Sequence, residues 1–311
     1  MIPSPPQILQ MLGGSMPAQT RPLPLRDRAR DPGLFGPGSA TWRVMREPLL
    51  FFGAGRALLM QAAHPLVAQG AIDHSTFATD PYGRLERTVE WVTLVSFGTT
   101  AEATRISRAV GAVHRRVSGV LPPENATPRV SAATRYTASD PALLRWVHAT
   151  FVDTMLTTHD ALIGGLDEVD RDAFVREWDA VASLMGVLRR HRWRDASALR
   201  EYVQRQVERG PVQPGPGSRS VAATVLHPPV SSPAMRPGAD LMSFVAVGLL
   251  PASVRRGYGL TWTPAHAAAH RAIRVWLRGA GRALPRRLRV SPIHDLALAR
   301  SLGRWPAAVA A

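Results

Sequence analysis

The sequence contains no cysteine. This absence excludes disulfide bonds and metal centres ligated by thiolates, such as iron–sulfur clusters. Any buried metal must therefore be held by nitrogen or oxygen atoms. Aromatic residues make up only 6% of the chain, and runs of alternating β-branched residues are nearly absent. Both absences argue against a sheet protein, because strands favour these residue types.

Lysine is also absent, so all 38 basic residues are arginine. They outnumber the 23 acidic residues and give a formal charge of +15. Such a charge favours an anionic partner, for example a membrane surface, a nucleic acid or a carboxylate substrate. The arginine bias itself is typical of a GC-rich genome. No nucleic-acid-binding module is recognisable, and no specific nucleic-acid binding is expected.

A long uninterrupted apolar run is the third absence. The most apolar region, residues 48–72, contains four polar interruptions: Arg56, Gln61, His64 and Gln69. A membrane-spanning helix needs roughly 20 mostly apolar residues, and the first residues lack the pattern of a signal peptide. We therefore expect a cytoplasmic protein. The arginine-rich, amphipathic stretch over residues 271–289 leaves room for peripheral contact with an anionic membrane.

Helical signals fill the rest of the chain and predict an all-α fold. Thr99-Thr-Ala-Glu102 has the pattern of a capping box, which predicts a helix from Thr100 to about Ser118 that stops at Gly119. Asp140-Pro141 predicts the start of a strong helix to about Thr158. Residues 49–69 predict a central buried helix with a kink or break at Pro65.

The distribution of proline and glycine predicts the domain organisation. Residues 1–40 are rich in both and predict an arm that is either loosely ordered or draped over the body of the protein. Residues 41–305 predict one helical domain. Within that domain, residues 210–237 hold many prolines and glycines and predict a linker or long loop.

Histidines inside apolar helical stretches are the main candidates for chemistry, since histidine commonly binds a metal or a haem. His114 is the first of them, because the residues three, four and seven positions before it (Gly111, Val110 and Ser107) are small and leave room for a flat ligand. His64, His74 and His148 are further candidates for shaping a pocket or anchoring a cofactor. For each, a histidine satisfied by a core hydrogen bond is the simpler alternative.

Arg84 and Thr88 are four residues apart, so they share a helix face. A guanidinium beside a hydroxyl group can bind a carboxylate or polarise an oxygen species. An ordinary surface pair next to Arg87 is the alternative. Two His-Asp dipeptides, at residues 159–160 and 294–295, also leave open a non-haem metal phosphohydrolase.

The order of these motifs along the chain resembles one family, the latex clearing proteins (rubber oxygenases) and MpaB-type oxygenases. The resemblance covers about residues 41–260. It is carried by these segments: Arg56-Ala-Leu-Leu-Met-Gln-Ala-Ala-His-Pro65, Gly70-Ala-Ile-Asp-His-Ser75, Arg84-Leu-Glu-Arg-Thr88, Phe97-Gly98, His114-Arg-Arg-Val-Ser-Gly119, Tyr136-Thr-Ala-Ser-Asp-Pro141, Trp146-Val-His-Ala149 and Leu250-Pro-Ala-Ser-Val-Arg-Arg-Gly-Tyr-Gly-Leu260.

The resemblance implies an all-helical fold that carries haem b, with His114 as the axial ligand of the iron. Arg84 and Thr88 match the arginine and threonine on the opposite side of the haem, and Arg87 takes the position of a lysine. The implied activity is oxidation of an apolar, isoprenoid or lipid-like substrate with dioxygen. A haem-binding or sensor protein without turnover remains the alternative. The sequence does not indicate an oligomeric state.

Overall fold

The computed structural model describes residues 31–74, 81–230 and 232–303. Helices dominate these residues, which confirms the predicted all-α fold. In chain order they are α1 (Ala40–Met45), α2 (Ala54–Ala62), α3 (Pro65–His74), α4 (Pro81–Phe97), α5 (Thr100–His114), α6 (Pro141–Leu162), α7 (Glu168–Glu177), α8 (Asp179–Met185), α9 (Ala196–Glu208), α10 (Pro216–Leu226), α11 (Arg236–Gly248), α12 (Ala252–Gly257), α13 (Pro264–Ala283), α14 (Arg286–Arg289) and α15 (Pro292–Ser301). Among the described helices, none is both long and apolar enough to cross a membrane.

A short hairpin follows α5. Strands β1 (Ser118–Val120) and β2 (Arg135–Thr137) pair antiparallel, with Gly119 opposite Tyr136. The predicted helix to Ser118 therefore ends four residues early, at His114. Gly119 is needed for a different reason than a helix stop, because a Cβ atom there would lie 2.5 Å from the Tyr136 hydroxyl oxygen.

The apolar stretch over residues 48–72 is divided into three pieces. A 3-10 helix (Pro48–Gly53) leads into α2, and the chain breaks before Pro65, where α3 begins. This agrees with the predicted break, since a proline inside a helix removes a backbone hydrogen bond. Gly53 lets the 3-10 helix approach α6 closely, because a Cβ atom at Gly53 would lie 2.3 Å from Oγ1 of Thr158.

Helix α6 is the central element of the core. The Asp140 side chain caps it by accepting the backbone N–H of Ala142 at 2.7 Å. The predicted start is confirmed, and the helix runs four residues further than expected, to Leu162. The buried indole of Trp146 donates to the carbonyl of Gln61 at 3.3 Å and ties α6 to α2. In the same way, Trp42 of α1 donates to the Ser96 carbonyl of α4 at 3.0 Å.

The segment over residues 210–237, expected to be a linker or loop, contains α10 and the start of α11. The expectation of a linker or long loop was wrong for Pro216–Leu226, because Pro216 occupies the first turn of α10, where its missing N–H costs nothing. Gly217 lies against Asn125, whose Cγ would be 3.0 Å from an added Cβ atom. Proline and glycine here start a helix and allow close packing.

Part of the predicted N-terminal arm packs on the body. Residues 1–30 lie outside the described residues. From residue 31 onward, the Asp31 carboxylate accepts the backbone N–H of Thr100 at 2.8 Å. The buried Phe35 ring stacks on Trp178 with centroids 6.3 Å apart. Residues 31–39 therefore cover one side of the helical core.

Candidate functional site

A cavity of about 260 Å³ lies between α2, α4, α10 and α11. Its volume is slightly below the range of about 300–1,000 Å³ that is typical of small-molecule sites. The lining is mostly apolar and includes Leu50, Phe51, Leu58, Val92 and Met155. Among the described residues that line it, the only charged ones are Glu47 and Arg84.

Helix α4 contributes one face to the cavity. Lining positions recur along it at spacings of one, three and four residues, as one face of an α-helix requires. They are Arg84, Leu85, Thr88, Val89, Val92, Thr93, Ser96 and Phe97. The sequence prediction that Arg84 and Thr88 share a helix face is thus confirmed. The Thr88 hydroxyl donates to the Arg84 carbonyl at 3.0 Å, so its oxygen can still accept a hydrogen bond.

An adjacent face of α4 packs against α5. The two helices are joined at Gly98 and Thr99, and the chain reverses there. The Trp91 indole donates to the buried Ser107 hydroxyl at 3.2 Å. Arg84 lies two helical turns before Trp91, and His114 lies two turns after Ser107, so the same packing brings Arg84 towards His114.

His114 is the last residue of α5 and is partly buried. Burial and the nearby positive charge of Arg84 both lower its pKa below the ordinary value of 6.5. The neutral imidazole, which is the form that binds a metal, is therefore favoured. The described part of the chain offers no hydrogen bond to either ring nitrogen of His114.

Arg84 connects His114 with the cavity. Its side chain lines the cavity wall, whereas that of His114 does not. Burial lowers the pKa of Arg84, and the neighbouring charge of Arg87 lowers it further. Arg87 itself is exposed, and it is not among the described residues that line the cavity.

The other predicted histidines do not line this cavity, and each is hydrogen-bonded. Buried His64 accepts the backbone N–H of Leu66 on Nδ1 at 3.2 Å, at the start of α3. Exposed His74 has Nε2 at 2.8 Å from the Ser118 carbonyl of β1. The structure places Arg84 next to Thr88 and within electrostatic reach of His114, but does not add His64 or His74 to these residues. Their roles in cofactor binding remain predictions.

His148 lies deep in the core. Its Nε2 is 3.1 Å from the carbonyl oxygen of Trp178, and its ring stacks on Trp193 with centroids 5.6 Å apart. Burial lowers its pKa from 6.5 to about 4. These contacts place His148 between α6, the junction of α7 and α8, and the segment before α9, and its role at a cofactor is likewise a prediction.

Sequence reasoning missed Glu47, which precedes the 3-10 helix. Glu47 lines the cavity, and its carboxylate lies 3.4 Å from Nε of Arg46. Burial raises its pKa, and the charges of Arg46 and Arg289 oppose that shift. No spacing pattern in the sequence indicates Glu47, because Arg289 and the other residues that line the cavity belong to distant parts of the chain.

The His-Asp dipeptides do not form a metal centre. Asp160 accepts from Arg171 at 2.9 Å, and Asp295 accepts from Arg286 at 2.8 Å. Across residues 31–74, 81–230 and 232–303, no three histidine or acidic side chains are grouped as a metal site. The phosphohydrolase hypothesis therefore has no site in the part of the chain that the structure describes.

Comparison with known proteins gives the family. Two uncharacterized proteins, from Mycobacterium bovis and Mycobacterium tuberculosis, are each 25% identical over 238 residues, covering 74% of this chain and 88% of theirs. No solved structure matches. Residues 42–279 match the family described as ER-bound oxygenase mpaB/B'/Rubber oxygenase, catalytic domain. The chain therefore belongs to this oxygenase family.

Proposed function

We propose that the protein is an oxygenase that depends on haem b and uses dioxygen to oxidise an apolar substrate held in the cavity. One observation carries the proposal: Arg84 lines the apolar cavity and also acts electrostatically on His114. Arg84 thereby links His114, the candidate ligand of the iron, to the cavity, which is the candidate substrate site. Membership in an oxygenase family supports this arrangement.

The donor chemistry of the chain fits a histidine-ligated haem. Axial ligands of haem iron come from histidine, cysteine, methionine or tyrosine, and the chain has no cysteine. The hydroxyl groups of Tyr136 and Tyr258 donate to Asp73 and to the Leu59 carbonyl, at 2.5 and 2.6 Å. His114, in contrast, has a pKa lowered by burial and a ring without a hydrogen bond in the described residues. When bound, haem supplies the one-electron and dioxygen chemistry that side chains lack.

Arg84, Thr88 and Arg87 would serve different purposes. The partly buried guanidinium of Arg84 can bind a carboxylate, such as a haem propionate, or stabilise negative charge at the cavity wall. The Thr88 hydroxyl oxygen can accept one further hydrogen bond. Arg87 is exposed and lies about one helical turn after Arg84. Its positive charge would help Arg84 to attract an anionic group. The apolar lining from Phe51, Leu58 and Met155 would hold the substrate and exclude water.

Replacement of His114 tests whether this residue would hold the haem iron. We expect the protein made with a haem precursor to show a Soret band in its visible spectrum, and His114→Gly to lose or strongly shift that band. Added imidazole should restore it, because the free ring can occupy the vacated position. His227→Ala, which removes an exposed histidine, is the matched control and should leave the spectrum unchanged.

Two results would contradict the proposal. If His114→Gly keeps stoichiometric haem with an unchanged spectrum, His114 is not the ligand. If the folded wild-type protein, verified by circular dichroism, cannot be loaded with haem, the haem-dependent oxygenase is excluded. Haem binding without oxygen-dependent turnover of any alkene or lipid would instead favour the sensor alternative.

A further inference from the structure

A second, smaller cleft of about 90 Å³ adjoins the cavity. It lies between the end of α6, the last turns of α13 and the short helix α14. Three arginines line it: Arg278, Arg282 and Arg289. The cleft and the cavity share two lining residues, Glu47 and Pro48. An apolar chamber and an arginine-rich cleft thus meet at one short segment.

The positive charge of the cleft is poorly balanced. Arg282 and Arg289 are exposed, and the described residues provide neither of them with a hydrogen bond or a salt bridge. Arg278 donates to the carbonyls of Asp160 and Ala161 at the end of α6, and its Nε is buried without a partner. Like charges gathered in this way repel one another and lower the stability of the fold unless an anion joins them.

Glu47 carries the only carboxylate among the described residues that line the cleft, and it does not neutralise the three guanidinium groups. Arg46 lies 3.4 Å from one of its oxygens, and the charge of Arg289 also acts on it. The positive charge that Glu47 leaves uncompensated can attract an anionic group. Guanidinium groups bind carboxylate and phosphate oxygens through paired, charge-assisted hydrogen bonds.

We propose that the cleft binds the anionic head of an amphiphilic substrate, a carboxylate or a phosphate monoester, whose apolar chain passes Glu47 and Pro48 into the cavity. This inference rests on the proposed function, which makes the cavity the substrate site. It narrows the substrate class from apolar molecules in general to anionic amphiphiles.

Calorimetric titration with three ligands tests the proposal: decyl phosphate, decanol and inorganic phosphate, all at concentrations where they are monomeric. Decyl phosphate should bind at least about tenfold more tightly than decanol, because charge-assisted hydrogen bonds to the head are added to the same chain contacts. The double variant Arg282→Gln, Arg289→Gln should abolish this preference and leave decanol binding unchanged. Inorganic phosphate should compete with decyl phosphate only weakly.

The control removes the same charge elsewhere. Arg200→Gln, Arg271→Gln replaces two exposed arginines that do not line the cleft, and it should keep the full preference. Equal affinities for decyl phosphate and decanol in the wild-type protein would overturn the proposal. So would a preference that the control variant loses as completely as the cleft variant, since only the overall charge would then matter.

A membrane headgroup is the competing source of the same chemistry. Sedimentation with phosphatidylglycerol vesicles distinguishes it: if the cleft variant loses vesicle binding but keeps its preference for decyl phosphate, the arginines contact a membrane and the proposal is wrong. The haem spectrum separates this inference from the proposed function. A protein without a Soret band that still prefers decyl phosphate refutes the haem oxygenase and retains the head site.

Discussion

At the scale of single residues, burial of histidine is the main electrostatic feature of this protein. His64, His148 and His159 are all buried, and burial lowers the pKa of each from 6.5 to about 4. A folded protein with such histidines binds fewer protons than the unfolded chain between these two pH values. The free energy of unfolding therefore falls as the pH is lowered from 6.5 to about 4.

His148 is the clearest case, because its ring is only 1% exposed and is enclosed by Trp178 and Trp193. A pKa of about 4 in place of 6.5 corresponds to about 3 kcal/mol of stability at neutral pH that is lost by pH 4. We expect His148→Gln, which keeps a donor for the Trp178 carbonyl, to reduce this pH dependence by a similar amount. Urea unfolding at pH 7 and pH 4.5 measures it.

The control for this prediction is His227→Gln, which changes an exposed histidine and should leave the pH dependence as it is. If His148→Gln and the wild-type protein lose the same free energy of unfolding between pH 7 and 4.5, the imidazole of His148 is not held neutral by the core. The stacking on Trp193 would then tolerate the charged ring.

At the scale of elements, the capping box of α5 shows how a local signal positions a distant residue. The Thr99 backbone N–H donates to the Glu102 carboxylate at 2.8 Å, and the Glu102 N–H donates to the Thr99 hydroxyl at 3.1 Å. The box fixes where α5 begins, and the helix then places His114 at its other end. A shift of one residue in this start would rotate His114 by about 100° around the helix.

We expect Thr99→Ala to lower the free energy of unfolding by about 1–2 kcal/mol, because the mutation leaves the backbone N–H of Glu102 without its partner. Thr104→Ala, in the same helix but outside the box, should change it by less than about 0.5 kcal/mol. Chemical denaturation compares the two variants. Equal destabilisation by both would mean that the box contributes nothing beyond the threonine methyl packing.

Signals of this local kind made much of the fold predictable. The box, the Asp140-Pro141 start and the break at Pro65 each depend on a few neighbouring residues, and the structure confirms all three. The same is true of Arg84 and Thr88, whose common face follows from helical spacing alone. Local signals failed at Pro216, where proline begins a helix in a segment that its composition assigned to a loop.

The candidate site was only partly predictable, because its walls come from distant segments. Glu47, Met155 and Met242 line one cavity although almost 200 residues separate the first from the last. No periodicity within a helix reports such contacts. Arg56 is a further example: its guanidinium is buried between Asp153 and the Leu249 carbonyl, at 2.6 and 2.9 Å, and only the tertiary structure supplies these partners.

At the scale of the whole molecule, the 38 basic residues exceed the 23 acidic ones by 15. At least 15 arginines therefore have no acidic residue of their own to pair with. Most of the pairs in the described residues lie at the surface, as Arg205–Glu201 and Arg286–Asp295 do. Exposed pairs of this kind contribute only about 0–1 kcal/mol each. Repulsion among the remaining arginines therefore opposes folding, and part of it is concentrated at the cleft lined by Arg278, Arg282 and Arg289.

Screening by salt should therefore stabilise the protein. Between 0.01 and 0.15 M ionic strength the Debye length falls from about 30 Å to about 8 Å, which weakens long-range repulsion more than contact pairs. We expect the melting temperature to rise with sodium chloride over this range. At equal ionic strength, sodium sulfate should raise the melting temperature further. This extra increase should be smaller in Arg282→Gln, Arg289→Gln than in Arg200→Gln, Arg271→Gln, because only the first pair lines the cleft.

A melting temperature that falls with added salt would show that attractive ion pairs outweigh the repulsion. An equal sulfate effect in both variants would show that the anion acts by general exclusion from the surface and not by binding in the cleft.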